Sequence, residues 1–157
     1  MESSAYMLTA HFCLGLAGFV SDIFSVMHRP KVRVMAAVIS REDCVLVCRR
    51  PLHKRHGGLW EFPGGKCERG ESDAAAIKRE LREELAVLVT SVGAAWAEIA
   101  DPLSEFVIVF APVCIDGEPE CIEHAEIRWV VVGELSNLNL APSDRAFVQK
   151  WLPLNIP

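Results

Sequence analysis

The run Arg79-Glu80-Leu81-Arg82-Glu83-Glu84 limits what this chain can be more than any other stretch. Ser72 reads as an N-cap, Asp73 suits the positive end of a helix, and the helix should run to about Leu85. Ala74, Ile77, Leu81 and Leu85 recur at helical spacing and predict one buried face. At about 100° per residue, Glu80, Glu83 and Glu84 fall within about 100° of arc on a different face. Three like charges packed so closely destabilise a helix, and the simplest use for them is a solvated surface. A bound divalent cation reverses that argument, because hard cations take oxygen ligands and bridge to phosphates.

The residues ahead of the helix favour the cation. Leu59 to Phe62 form a short apolar stretch ending at Pro63-Gly64-Gly65, where a missing side chain lets backbone approach a ligand. Glu71 can reach Arg79 on the helix. Taken together, GKCERGESDAAAIKRELREELAV resembles the Nudix box, G-x5-E-x7-R-E-U-x-E-E-x-G-U with U a bulky aliphatic residue. The match falls at Gly65, Glu71, Arg79, Glu80, Leu81, Glu83, Glu84 and Val87. It departs at Ala86, where the family has glycine, so the left-handed helix exit forms less easily. The resemblance covers about residues 31 to 152 and is strongest over 59 to 87. It implies a mixed-sheet α/β (α+β) fold, a Nudix-type α/β/α sandwich. It implies Mg2+ (or Mn2+) on Glu80, Glu83 and Glu84 with help from the Gly65 carbonyl, and a structural ion pair between Glu71 and Arg79.

The flanking sequence resembles the MutT-like branch, which hydrolyses nucleoside triphosphates to a monophosphate and pyrophosphate. That resemblance implies phosphate contacts for Arg50 and Lys66, each of which is otherwise a surface cation. It implies that Glu123, six residues before Trp129, ligates a second metal or orients water, with Glu126 as the competing assignment. Asp144 in Ala141-Pro142-Ser143-Asp144 would read the base, accepting from cytosine N4 or from the N–H edge of an oxidised guanine. Its other reading is a first-turn acid favoured by the helix dipole. Phe62, Val32 and Val34 would wall the base pocket or belong to the core. The proton from water would go to Glu80 or Glu123. His53, His56 and His124 are expected in surface or substrate-loop roles.

Elsewhere, residues 31–39 read as a strand, Ser40 to Asp43 as a turn and Val45 to Arg49 as a second strand, together a hairpin. A basic loop follows over residues 51–58. Further strands are expected at roughly 87–99, 106–114 and 125–131, with a turn at Asp116-Gly117. A last helix is expected over Ala141 to Leu152, capped by Ser143 and stopped by Pro153. The net charge of −5 argues against a duplex nucleic-acid binder but not against a nucleotide. Six cysteines without a CxxC pair suggest reduced thiols in a cytoplasmic protein, a monomer or homodimer.

Residues 1–30 form an apolar extension and residues 31–157 the domain. Within the extension, residues 5–27 lack the basic start of a secretory signal, and His11 and Asp22 interrupt a membrane span. A docked helix, a membrane-associated segment and an unused upstream start all remain open. The expected function is nucleotide-pool sanitation of the 8-oxo-dGTP diphosphatase kind. The alternatives are a pyrophosphohydrolase for modified cytosine triphosphates, another Nudix substrate such as a nucleotide sugar or dinucleoside polyphosphate, and a non-catalytic nucleotide sensor.

Overall fold

The computed structural model describes residues 32–100, 104–150 and 152, so the expectations for residues 1–30 and for Pro153 lie outside it. Two four-stranded sheets form the middle layer. In the first, β1 (Val32–Val38) runs parallel to β7 (Phe106–Asp116), while β5 (Leu88–Val92) and β6 (Ala97–Ala100) pair antiparallel with β7. In the second, β3 (Cys44–Arg49) is central, flanked by β2 (Ser40–Arg41), β4 (Trp60–Glu61) and β8 (Glu126–Val131), all antiparallel to it. The mixed sheet and its two helices make the expected α/β/α sandwich.

Alternation along the strands divides the core in two. Met35, Ala37, Ile39, Leu46 and Cys48 face helix α1 (Asp73–Leu85). Ala36, Val38, Val45, Val47 and Phe110 face helix α2 (Pro142–Lys150). Because the side-chain period in a strand is two, β1, β3, β7 and β8 each contribute to both layers. Ile77, Leu81 and Leu85 are fully buried, each contributing about 1.5–3 kcal/mol by leaving water. Ser72 caps α1, its side chain accepting the Ala75 N–H at 3.2 Å.

Four expectations change. The hairpin is confined to its tip: Ser40 and Arg41 pair with β3, whereas β1 leaves to join β7, a partner some seventy residues on that local spacing does not reveal. Ala76, not Ala74, completes the buried face of α1: the two lie about 200° apart, and the buried arc runs past Ile77 and Glu84 to Ala76 while Ala74 is exposed. The strand expected over 87–99 is two strands, β5 and β6. Helix α2 begins at Pro142, whose fixed φ suits a first helical position, so Ser143 lies inside the first turn. Among the described residues, no helix is long and apolar enough to cross a membrane.

Candidate functional site

One short segment, residues 60–67, organises the site. Trp60 and Glu61 lie in the β3 sheet, opposite Arg49 and Cys48. The chain then crosses to the free edge of β1. The Ala37 N–H donates to the Pro63 carbonyl and the Met35 N–H to the Gly65 carbonyl, both at 2.8 Å, and the Cys67 N–H donates to Arg33 at 2.9 Å. The Gly65 carbonyl, expected beside the metal, is therefore engaged by β1. Trp60 also exchanges backbone bonds with Asn139 and Ala141, which fixes where α2 starts.

Gly64 admits no side chain, and one on Gly65 would displace the Glu80 carboxyl. A Cβ on Gly64 would sit 2.2 Å from the Met35 carbonyl oxygen, and one on Gly65 would sit 2.3 Å from the Glu80 carboxyl carbon. Gly64 also has φ +139°, a region that other residues rarely enter.

The acidic end of the site stands on α1. Glu84 is only 8% exposed, and its Oε2 accepts the Gly64 N–H at 3.0 Å. Burial pushes its carboxyl up to about 7, opposed by His124 and the Gly64 N–H and reinforced by Glu80 and Glu61. Arg79 ties the loop to the helix. It donates to both Glu71 oxygens at 3.1 and 2.9 Å, to Glu80 at 2.7 Å and to the Lys66 carbonyl at 3.0 Å. The guanidinium holds the Glu71 carboxyl below its usual range. Glu83 is exposed, 3.6 Å from Arg79, and does not line the cavity described below. At the helix exit Ala86 adopts φ 55°, ψ 26°, the left-handed conformation that glycine enters without strain.

The other end stands on α2. Asp144 is buried, and its Oδ1 accepts the Phe62 N–H at 2.8 Å. Burial drives its carboxyl up to about 7, against the pull of that N–H. Phe62 packs edge-on against Phe110 and Phe147, at 5.9 and 5.5 Å between ring centres, so it is as much core as pocket wall.

A cavity of about 570 Å³ joins the two ends. It brings together Arg50, Phe62, Gly65, Lys66, Glu80, Glu84, Glu123 and Asp144, which lie up to ninety-four positions apart in the chain. Val34 lines it and Val32 does not; Ile108 takes that place. Arg50 is not a free cation, since its Nη1 donates to both Glu61 oxygens at 2.7 and 2.6 Å and its Nε to the Arg55 carbonyl at 2.7 Å. Lys66 holds its ammonium 4.7 Å from the centre of the Phe106 ring. Glu123 faces Lys54 at 3.6 Å.

Two residues escaped the sequence reading. Glu61 lies between inward-facing Trp60 and Phe62 and meets Arg50 and His124, which was legible only once the β3–β4 pairing was known. His124 is no surface residue: its side chain is 5% exposed and sits between Glu61 and Glu84. Being next to Glu123 was its one sequence signal. His56 lines the cavity, and His53 is exposed.

The donor set suits a hard cation. A buried carboxylate opposed by desolvation, with Glu80 set against a side-chain-free Gly65, is stabilised by a positive charge at that spot. Among the described residues, no three acidic, His or Cys side chains already close on one point, so the oxygens are gathered but not converged.

Residues 29–151 match the NUDIX domain family. The chain is 32% identical over 126 residues to the CTP pyrophosphohydrolase of Escherichia coli K12, covering 78% of this chain and 93% of that protein. It is 42% identical over 66 residues to the 8-oxo-dGTP diphosphatase of Proteus vulgaris, covering 41% of this chain and 59% of the other. Among solved structures, one from work on MutT of Aliivibrio salmonicida and Vibrio cholerae superposes with a TM-score of 0.66 at 32% identity. It covers 76% of this chain and 94% of that one.

Proposed function

The chain belongs to the Nudix hydrolase family, and from that premise we propose that it hydrolyses a nucleoside triphosphate to the monophosphate and pyrophosphate in a Mg2+-dependent reaction. The observation that carries this reading is the single cavity with carboxylates Glu80, Glu84 and Glu123 toward one end and Asp144 with Phe62 at the other. Such a cavity accepts a ligand with a polyanion at one end and a hydrogen-bonding ring at the other. We take residues 31–157 as the catalytic domain, acting in the cytoplasm. The five described cysteines carry free thiols, which suits that compartment.

Glu80, Glu83, Glu84 and Glu123 would hold the cation. When bound, Mg2+ or Mn2+ neutralises phosphate charge and polarises the phosphoryl group. The chain's own residues do the rest. Arg79 keeps Glu80 oriented by donating to its Oε1, while Glu123 lies in the cavity wall against Lys54. Glu80 and Glu123 are the two candidates to accept the proton of the attacking water. Lys66 at the cavity wall adds positive charge toward the phosphates. Phe62 and Ile108 exclude water from the ring, and Asp144 presents its remaining oxygen to an N–H of the base.

A panel of normal, oxidised and methylated nucleoside triphosphates, scored by kcat/KM with and without a chelator, tests this reading. Turnover should vanish on chelation and return with Mg2+, and an 8-oxo-purine triphosphate should lead the panel. Absence of Mg2+-dependent turnover on every triphosphate would end the proposal. A second reading keeps the chemistry and changes the base. With Oδ1 tied to the Phe62 N–H, one Asp144 oxygen is left for a single donor, and the N4 amino group of a modified cytosine supplies one. A cytosine triphosphate at the head of the panel would favour it.

A further inference from the structure

The loop between β7 and β8 is docked onto the end of α1 that carries Glu84. The last carbonyls of a helix lack partners within it, and here the loop supplies them. The Ile122 N–H donates to the Glu84 carbonyl at 3.1 Å and the Glu120 N–H to the Leu85 carbonyl at 2.9 Å. The Ala125 N–H binds the Arg49 carbonyl at 2.9 Å, tying the other end of the loop to β3. The Cys121 thiol donates to the His124 carbonyl at 3.2 Å, drawing the turn tight.

This turn delivers the His124 ring inward. Its Nε2 lies 3.6 Å from Glu61 Oε1 and 3.7 Å from Glu84 Oε1. Both separations exceed a hydrogen bond but keep the three groups in contact. The ring is nearly sealed, and its Nδ1 is the one buried side-chain polar atom without a partner among the described residues. A buried polar ring in that position is costly unless it serves the groups that it faces. Glu61 is anchored on its far side by Arg50, and Glu84 by the Gly64 N–H. The ring fills the gap between two anchored carboxylates.

We infer that His124 is a positioning residue: its imidazole spans Glu61 and Glu84 and fixes the Glu84 carboxylate in the orientation that a divalent cation requires. The inference rests on the proposed cation-dependent hydrolysis, but it concerns geometry that exists before any nucleotide binds. His124 touches neither substrate nor reacting atoms. It acts through Glu84, with Nε2 facing the two carboxylates.

Mn2+ binding to the full chain, followed by the loss of the free-ion electron paramagnetic resonance signal, tests this without turnover. His124→Leu keeps the volume and removes the donor, and should weaken Mn2+ binding about tenfold. His124→Gln restores an N–H near the Nε2 position and should recover affinity to within about threefold of the wild type. In steady-state assays the Leu variant should lose kcat while KM for the triphosphate stays within about twofold. Wild-type Mn2+ affinity in His124→Leu would overturn the inference. So would equal losses in both variants, which would mean packing alone. If the wild type binds Mn2+ but turns over no triphosphate, the functional reading fails and this one still stands on its affinities. Circular dichroism establishes whether His124→Leu folds. If it does not, long-range 15N–1H correlation on the wild type decides: a proton on Nε2 is expected, and an Nε2 without one overturns the inference.

Discussion

Glu84 and Asp144 are built alike and placed in unlike company. Each is a buried carboxyl accepting one backbone N–H from the same crossing segment, Glu84 from Gly64 and Asp144 from Phe62. Burial raises each to about 7. The neighbours then diverge. Glu84 faces Glu80, Glu61 and His124, so it adds to a negative field that only a cation completes. Asp144 stands beside the Phe62–Phe110–Phe147 cluster in the first turn of a short helix, where a single polar atom in an apolar wall confers specificity. The same tether thus supports two chemistries, and the surroundings decide which.

Substitution at the two carboxyls should separate them. Glu84→Gln removes charge where charge is used, and should lower kcat by about a hundredfold with the base preference of the panel unchanged. A variant that instead re-ranks the bases would break the comparison. Asp144→Asn keeps the Phe62 N–H bond and changes what the free position offers. It should shift the ratio of kcat/KM values between bases by roughly tenfold or more while leaving Mn2+ affinity alone. Loss of Mn2+ binding in this variant would show that the two ends are not independent.

A pH series sharpens the contrast. Folding carries the Asp144 pKa from an ordinary 3.8 up to about 7, so the folded state holds the proton more tightly. Its contribution to stability is complete below the unfolded value and is lost as pH rises through the folded one. Glu61 from β4 and Arg50 from the adjoining loop are the charged groups acting on it. Melting temperature in the presence of chelator should therefore fall less steeply in Asp144→Asn than in the wild type from about pH 4 to about pH 7. Parallel curves would mean that the carboxyl is already ionised at neutral pH. The smallest effect concerns the helix beneath Glu84 alone. Ala86→Gly relieves a left-handed Cβ at the α1 exit and should add about 1 kcal/mol in urea unfolding.

Helix α1 was legible because its signals are local: the Ser72 cap, the apolar repeat through Ile77, Leu81 and Leu85, and the spacing of Glu71 from Arg79. The strands of both sheets were largely legible for the same reason. Pairing was not. That β1 abandons β3 for β7 is decided by contacts between distant segments, and no two-residue alternation specifies the partner. The site divides in the same way. Glu80, Glu84 and Asp144 announce themselves by motif. Glu61 and His124 acquire meaning only when β4, α1 and the loop before β8 meet. Ala74 and Ala76 lie about 200° apart around the helix, and which edge of the apolar stripe is covered depends on what packs there, not on the spacing.

The crossing segment has a metric consequence. Phe62 and Gly64 are two residues apart, so the backbone between the N–H groups that hold the two carboxyls spans at most about 7 Å. Backbone bonds to β1 on one side and to the start of α2 on the other leave that stretch no freedom to lengthen. On the proposed reading, it would act as a ruler laid between ring and phosphates. A ligand with a longer or shorter connection between those parts fails at one end however well it fits the other. The identity of the ring, by contrast, would be read from Pro142–Lys150, beyond the ruler's end. Selectivity for the base can be rewritten there without recalibrating the distance to the charge.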